Sequence, residues 1–211
     1  MLYCGIRITP NDMKTCNCVI CYLDDFSFGG TPAYTNTFAQ EIEHHWTPEH
    51  TTLNQFVIYR GNWKLEDSHL HMNADRDGAA IYTGDCNFQN YKLTTVFTPI
   101  FGFNDSAFGV VVRCSGNLIG YTVTVSPNEL AIDKRSLNGT IRLGKVPFEM
   151  KQNETYTLAA TCCGGTISAN ISGVSLTVQD EDYSTGCIGF INQGGGHQHI
   201  LSYTLSSTDS E

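Results

Sequence analysis

The segment that most constrains the fold of this chain is residues 107–126, in which two apolar runs flank a short polar turn. In an extended strand, successive side chains point to opposite faces, so both faces of the first run are largely apolar. One face carries Phe108, Val110 and Val112, and the other carries Gly109, Val111 and Arg113. A strand covered on both faces is typical of the centre of a two-sheet sandwich. The turn at Ser115-Gly116-Asn117 predicts a hairpin, because Gly and Asn tolerate positive φ.

From Gln55 onward, similar short runs alternate with turn signals about every 8–12 residues, a spacing typical of a sandwich or barrel. We predict strands near residues 56–60, 69–73, 79–83, 91–98, 107–113, 119–125, 129–134, 139–144, 154–161, 165–171, 174–179, 186–191 and 198–205. Helical periodicity is almost absent, and only residues 37–45 have a pattern that could form a helical turn or two. The 211 residues suffice for one large domain with a sizeable core. We therefore expect an all-β fold.

The first part of the chain has a different character, because it is irregular and rich in cysteine. We predict a Cys-rich N-terminal arm over residues 1–23, packed against the sandwich or against another domain or subunit, and a β-sandwich domain over residues 24–211. Nine cysteines are an odd number, so at least one is unpaired or bonded to another chain. Cys4, Cys16, Cys18 and Cys21 could bind zinc, but their irregular spacing favours disulfides.

The charge and hydropathy of the chain argue against some partners. A formal net charge of −9 disfavours nucleic acid, which requires basic surfaces. No apolar run of about 18 residues is present to span a membrane. The first residues lack the apolar core of a signal peptide, so the signal has been removed, the chain is a fragment, or the protein is cytosolic.

The cysteines and four Asn-x-Ser/Thr sequons favour an extracellular, lysosomal or other secretory-pathway protein. The predicted glycosylation sites are Asn104, Asn138, Asn153 and Asn170. On this interpretation the protein is a glycoprotein with disulfides.

Several short motifs follow one another along the chain. They are Asp24-Asp25-Phe26, Gly61-Asn62-Trp63-Lys64-Leu65, Gly84-Asp85-Cys86-Asn87-Phe88, Tyr91-Lys92-Leu93, the hairpin with Arg113, Ile171-Ser172-Gly173-Val174-Ser175-Leu176 and Gly186-Cys187-Ile188-Gly189-Phe190. Their order resembles the concanavalin A-like lectin/glucanase superfamily, a jelly-roll sandwich of two antiparallel sheets, over about residues 24–205. The Asp-Asp-Phe segment, Pro32-Ala33-Tyr34 and the Gly-Asp-x-Asn-aromatic motif also resemble the C-terminal lectin-like domain of galactocerebrosidase-type glycosidases.

The resemblance implies a non-catalytic, lectin-like carbohydrate-binding module of an extracellular or lysosomal protein, with a glycan as its partner and a glycosidase as the protein that carries it. A structural calcium ion is the cofactor that it suggests. Two alternatives remain open: a structural or assembly module that makes protein–protein contacts, and a glycoside hydrolase. A hydrolase needs two carboxylates at a fixed separation, and no strand of the type Glu-x-Asp-x-x-Glu is present, which argues against an enzyme.

Sugar binding combines flat aromatic rings with polar groups that hydrogen-bond to hydroxyls. The candidate ligand-binding residues are Arg113, Trp46, Asn117, Tyr121 and Tyr82. Arg113 is the most informative, because a charged group at the end of a central strand needs water, a carboxylate or a ligand. A structural ion pair is its alternative role. Trp46 lies outside the main predicted strands and is a candidate for exposed stacking, whereas Trp63 is expected in the core.

Calcium prefers carboxylate and carbonyl oxygens. The candidate calcium ligands are Asp25, Asp180 and Asp182. Asp25 could instead cap the start of a strand, and the other two could instead belong to a solvated acidic turn.

Histidines with i, i+2 spacing form two pairs, and the members of each pair lie on one strand face. The pairs are His69/His71 and His197/His199, and a further group is His44, His45 and His50. Such groups can bind zinc, but no third ligand has a telling spacing. Exposed or hydrogen-bonded histidines are the simpler interpretation.

Overall fold

The computed structural model describes residues 56–66, 69–102, 104, 106–115 and 118–208, together with the backbone of residues 44–46. The regular elements among these residues are fifteen β-strands. They are β1 (His44–Trp46), β2 (Val57–Arg60), β3 (Asn62–Glu66), β4 (His69–Ala74), β5 (Ala79–Thr83), β6 (Tyr91–Phe101), β7 (Ala107–Cys114), β8 (Gly120–Val125), β9 (Glu129–Ser136), β10 (Gly139–Pro147), β11 (Tyr156–Cys163), β12 (Thr166–Ile171), β13 (Val174–Gln179), β14 (Cys187–Gln193) and β15 (Gly196–Ser207). No helix within the described residues is long and apolar enough to cross a membrane.

The strands form two antiparallel sheets. The eight-stranded sheet has the order β13-β12-β11-β6-β15-β4-β3, and β1 also pairs with β15. The seven-stranded sheet has the order β10-β9-β8-β7-β14-β5-β2. Most neighbours in the eight-stranded sheet are distant in sequence, as in the pairing of β6 with β15. This confirms the predicted all-β, two-sheet antiparallel jelly-roll sandwich.

The core lies between the sheets and takes apolar side chains from both. Phe97 of β6 packs against Phe108 of β7 with ring centroids 4.5 Å apart. Trp63 is buried as predicted, and its indole N–H donates to the carbonyl of Arg60 at 2.9 Å. Burying such large side chains is the main favourable term in folding, at about 1.5–3 kcal/mol each.

The hairpin of residues 107–126 forms as predicted. β7 and β8 pair from Phe108 opposite Val125 to Val112 opposite Tyr121, and β7 lies between β8 and β14. Both faces of β7 are covered, because a second apolar cluster lies on the face that points away from the main core. The prediction of a central, doubly covered strand is therefore confirmed.

The alternation of side chains between the two faces of β7 is interrupted at Arg113. Val111 and Cys114 both belong to the second cluster, although residues three positions apart in a regular strand point to opposite faces. The register of β7 against β14 shifts at this point, and Arg113 has a φ of 49°. Such a β-bulge re-aims one side chain. Arg113 contacts Tyr183, which packs on the main core, so the prediction that Arg113 shares a face with Val111 is wrong.

All thirteen predicted strands are present, and two others were not predicted. β3 was missed because Asn62, Lys64 and Glu66 have low β-propensity, and it lies at the edge of its sheet. The predicted helical turn at residues 37–45 is wrong at residues 44 and 45, which belong to β1 and pair with β15. Residues 37–43 lie outside the described residues. Pairing with a distant strand overrides local propensity at this position.

Several predictions fall on residues that are not described: the arm over residues 1–23, its boundary at residue 24, the motif at residues 24–26 and the N-terminal cysteines. Cys162 is buried and Cys163 is exposed, and neither forms a disulfide. Burial raises the pKa of the Cys162 thiol to about 11, which keeps this thiol protonated at neutral pH. Glycosylation stays a prediction, and its four asparagines are all exposed.

Candidate functional site

The Arg113 side chain is buried, with 2% of its surface exposed. Its Nε and Nη2 donate to the carbonyl of Gln89 at 3.2 and 3.0 Å, and its Nη1 donates to the carbonyl of Tyr183 at 3.1 Å. Its backbone N–H donates to Tyr91 Oη at 2.8 Å. The guanidinium group thus donates to backbone carbonyls in two separate connections. These bonds join both connections to β7.

Three connections meet around Arg113 at one end of the sandwich, which we call the loop end. They are residues 84–90 between β5 and β6, the described residues 115, 118 and 119 between β7 and β8, and residues 180–186 between β13 and β14. The Gly186 N–H donates to the Phe88 carbonyl at 3.1 Å, and the Ser115 N–H donates to the Ile119 carbonyl at 2.9 Å. The first bond joins two of the connections, and the second closes the β7–β8 connection on itself.

The connection over residues 84–90 owes its shape to its sequence. Gly84 has a φ of 87°, and a β-carbon there would lie 2.4 Å from the Phe88 ring. Asp85 Oδ1 accepts the Asn87 N–H at 2.7 Å, a local turn that Asp forms readily. Asn87 and Gln89 are exposed as a result. The loop end therefore presents two amide side chains to solvent.

A second hydrogen-bond network supports the loop end from Tyr121, which is fully buried. Tyr121 Oη donates to Asp180 Oδ1 at 2.7 Å and accepts the Tyr183 N–H at 3.1 Å. Burial and the bond to the Asp180 carboxylate raise the pKa of Tyr121, so its hydroxyl remains a donor. Lys134 Nζ lies 2.5 Å from Asp180 Oδ2 and 2.6 Å from Asp182 Oδ2. This network ties β8 and β9 to the connection over residues 180–186.

The two described carboxylates among the predicted calcium ligands do not fit a calcium ion in this arrangement. Asp180 and Asp182 share the ammonium group of Lys134, which already supplies the positive charge between them. The remaining Asp180 oxygen accepts hydrogen bonds from Tyr121 and from the Asp182 N–H. The calcium prediction therefore depends on Asp25, which lies outside the described residues.

The same ion pair predicts a pH dependence of stability. Burial alone would raise the pKa of Asp180, but hydrogen bonds from Lys134, Tyr121 and the Asp182 N–H outweigh it and lower the pKa. A carboxyl group whose pKa is lowered by folding stabilises the protein at neutral pH, and this is lost as the pH falls below about 4. Urea unfolding between pH 7 and pH 3 should show this decline, and Asp180→Asn should flatten it. Parallel pH profiles for the two proteins would contradict the assignment.

Tyr82 supports the third connection. It is buried, and its Oη accepts the Leu118 N–H at 2.9 Å, directly after Asn117. Asn117 itself lies outside the described residues. Burial raises the pKa of Tyr82, with a contribution from Cys114. Tyr82 thus binds the Leu118 backbone from a buried position rather than presenting its ring at the surface.

The structure brings most of the predicted site residues to one place but gives them a different position from the one expected. Arg113, Tyr82 and Tyr121 each bond to a connection of the loop end with a buried side chain, but Tyr121 lies in the main core and Tyr82 in the second apolar cluster. Direct contact with a ligand would require their present hydrogen bonds to break. Trp46 lies in β1 of the eight-stranded sheet, where it pairs with Tyr203 of β15. Arg113, Tyr82 and Tyr121 belong to the seven-stranded sheet. The side chain of Trp46 lies outside the described residues.

Sequence reasoning missed the exposed groups of the loop end. Asn87 belongs to the Gly-Asp-x-Asn-aromatic motif, which was recognised as a family signature but not as a surface. Gln89 follows it directly. Lys134 and Tyr183 were missed because their partners are 46 and 62 residues away, and no local pattern reports such contacts.

No family model and no curated protein matches this chain, whereas solved structures do. The carbohydrate-binding module CBM66 from Bacillus subtilis has a TM-score of 0.66 at 15% identity, over 72% of this chain and 96% of that chain. The exoplasmic/lumenal domain of VIP36, in a form with Ca2+ and Man3GlcNAc bound, has a TM-score of 0.59 at 12% identity, over 80% and 90%. The apo Crh5 transglycosylase has a TM-score of 0.59 at 10% identity, over 80% and 85%. At these identities the likeness is one of fold: the chain forms a two-sheet antiparallel jelly-roll sandwich.

Proposed function

We propose that this chain is a non-catalytic carbohydrate-binding module and that the loop end is its ligand surface. The observation that carries the proposal is the set of hydrogen bonds from Arg113 to the carbonyls of Gln89 and Tyr183. These bonds hold the backbone of two connections inward while the amides of Asn87 and Gln89 face solvent. The same fold in a carbohydrate-binding module and in a lumenal domain with Man3GlcNAc bound supports this function.

Amide side chains suit sugar hydroxyls, because each amide offers both donors and acceptors. A rigid surface of this kind loses little conformational entropy on binding. Arg113, Tyr121 and Tyr82 act in the proposal as supports that position the exposed groups. Asn117, in the turn that Tyr82 holds, supplies a further amide, and Trp46 remains a predicted stacking residue.

The cellular context that we propose is extracellular or lysosomal, with the chain as the accessory domain of a glycosidase of the galactocerebrosidase type. Support comes from the exposed sequon asparagines, which a glycosyltransferase of the secretory pathway can reach. Mass spectrometry of the protein from a eukaryotic secretory host should detect N-glycans at these positions. They are Asn104, Asn138, Asn153 and Asn170.

Glycan-array binding tests the ligand surface. We expect the double variant Asn87→Ala/Gln89→Ala to bind its best glycan at least about fivefold more weakly, since each lost hydrogen bond contributes about 0.5–1.5 kcal/mol. The matched control is Asn62→Ala/Asn73→Ala, which removes two exposed amides from β3 and β4. Binding that falls equally in both double variants would contradict the assignment of the loop end.

The array also separates the alternative functions. Absence of binding to any glycan, together with a defined oligomer in light scattering, would favour an assembly module. Turnover of an aryl glycoside would favour a hydrolase, for which the fold of the Crh5 transglycosylase is the supporting observation. Binding that is lost in EDTA and restored by calcium, but not by zinc, would support the calcium prediction.

A further inference from the structure

Four histidines gather on the outer face of the eight-stranded sheet. β4 carries His69 and His71, and the intervening Leu70 is in the core, so both histidines point outward. β15 carries His197 and His199, and it pairs with β4 so that His199 lies opposite His71. His197 pairs with Phe101 at the end of β6 that is far from the loop end. The register of two adjacent strands thus joins the two histidine pairs.

The rings are close enough to share one ion. One ring nitrogen from each of His69, His71 and His199 can be chosen so that all three atoms lie within 4.8 Å of one another. His197 Nε2 lies 2.9 Å from His199 Nε2. Two nitrogens bound to one tetrahedral zinc ion at 2.0–2.1 Å are about 3.3–3.4 Å apart. Side-chain rotations that move the nitrogens of His69, His71 and His199 by up to about 1.5 Å would bring these three to that spacing. His197 lies within reach of the same ion through its contact with His199.

Two of the ring nitrogens are buried without a hydrogen-bond partner. His71 is 8% exposed and its Nε2 has no partner. His197 is half-buried, and its Nδ1 is a buried atom that also has no partner. A buried polar atom without a partner is rare and costly. Ligation would satisfy the His71 nitrogen, because a neutral imidazole nitrogen offers a lone pair to a metal.

The described surroundings of the cluster add little net charge. The charged groups that face the cluster are Lys64 and Glu66 of β3, opposite His71 and His69, and these two form an ion pair with each other. Phe101 stacks on His197 with centroids 5.2 Å apart, which fixes the orientation of that ring.

We propose that His69, His71 and His199 bind a divalent first-row transition-metal ion, with His197 as the fourth ligand. An all-imidazole set suits zinc, nickel or copper and not calcium, which requires oxygen ligands. This site is independent of the proposed glycan surface, which lies at the other end of β15.

Titration calorimetry with zinc chloride tests the proposal, with calcium chloride as the comparison. We expect one zinc ion per chain, no calcium binding in this cluster, and at least about 100-fold weaker zinc binding in His71→Ala/His199→Ala. His45→Ala, which changes a histidine of β1, and the double variant Asn87→Ala/Gln89→Ala should bind zinc as the original protein does. Binding should weaken below about pH 6.5 as the imidazoles become protonated.

Because the chain also has cysteines that could bind zinc, the ligand type is measured directly. X-ray absorption of the zinc-loaded protein should show nitrogen at 2.0–2.1 Å and no sulfur at 2.3 Å. Circular dichroism checks that each variant is folded, and if the double variant is not, His69→Ala replaces it, with at least about tenfold weaker binding expected. Unchanged affinity in a folded cluster variant, a sulfur shell, or no zinc bound would overturn the proposal.

Discussion

Replacing Arg113 with methionine is expected to lower the free energy of unfolding by about 3–5 kcal/mol. The methionine retains an apolar stem but has no donors, so the carbonyls of Gln89 and Tyr183 lose their guanidinium partners at part-buried positions. Each buried group left without a partner costs about 1–3 kcal/mol. Guanidinium chloride unfolding monitored by circular dichroism measures the loss.

Arg76→Met is the matched control, because Arg76 is exposed, and exposed substitutions usually change stability by less than about 0.5 kcal/mol. Arg113→Lys should be nearly as unstable as the methionine variant, since an ammonium group cannot span two carbonyls as a planar guanidinium does. Hydrogen exchange should accelerate first at residues 84–90 and 180–186. A loss of less than about 1 kcal/mol would show that Arg113 does not hold these connections.

Gly186→Ala is expected to destabilise the protein by about 2–4 kcal/mol. Gly186 has a φ of 149°, and a β-carbon there would lie 2.2 Å from the carbonyl carbon of Arg113 and 2.4 Å from the nitrogen of Cys114. These are backbone atoms of a central strand and cannot rotate away. β14 would have to move from β7 at the base of the loop end, and thermal or chemical unfolding measures the cost.

Gly139→Ala separates the clash from backbone strain. Gly139 has a φ of 122° but has no atom within 4 Å of the added β-carbon, so only strain of about 1 kcal/mol is expected. Under the proposed function, Gly186→Ala should also weaken glycan binding, whereas Gly139→Ala should not. Equal losses of stability in the two variants would refute the close approach of β7 and β14.

The strands were predictable where the residues themselves carry the pattern. The apolar runs of β7 and β8 indicate from local sequence alone that these strands are buried, and the Gly and Asn between them indicate the turn. β3 was not predictable in this way, because its outward Asn62, Lys64 and Glu66 are not typical strand residues. β1 was not predictable because it exists by pairing with β15.

The candidate site was only partly predictable. Arg113 was singled out because a charge at the end of a buried strand needs a partner, and this reasoning was sound. The identity of the partner could not be deduced, because Gln89 and Tyr183 are 24 and 70 residues away. The bulge that turns Arg113 toward them depends on the register with β14. The sequence does not show that Asn87 and Gln89 form an exposed surface, because their exposure depends on how the backbone of residues 84–90 folds.

Local sequence is enough to predict that residues 107–126 form a doubly covered central hairpin, because period-two apolar alternation follows from the geometry of one strand. It also showed the two histidine pairs, because i, i+2 spacing is local. The burial of Arg113 against distant carbonyls and the meeting of the two histidine pairs are seen only in the folded protein. Both outcomes depend on strand register between distant segments, and a shift by one residue would turn each side chain to the opposite face.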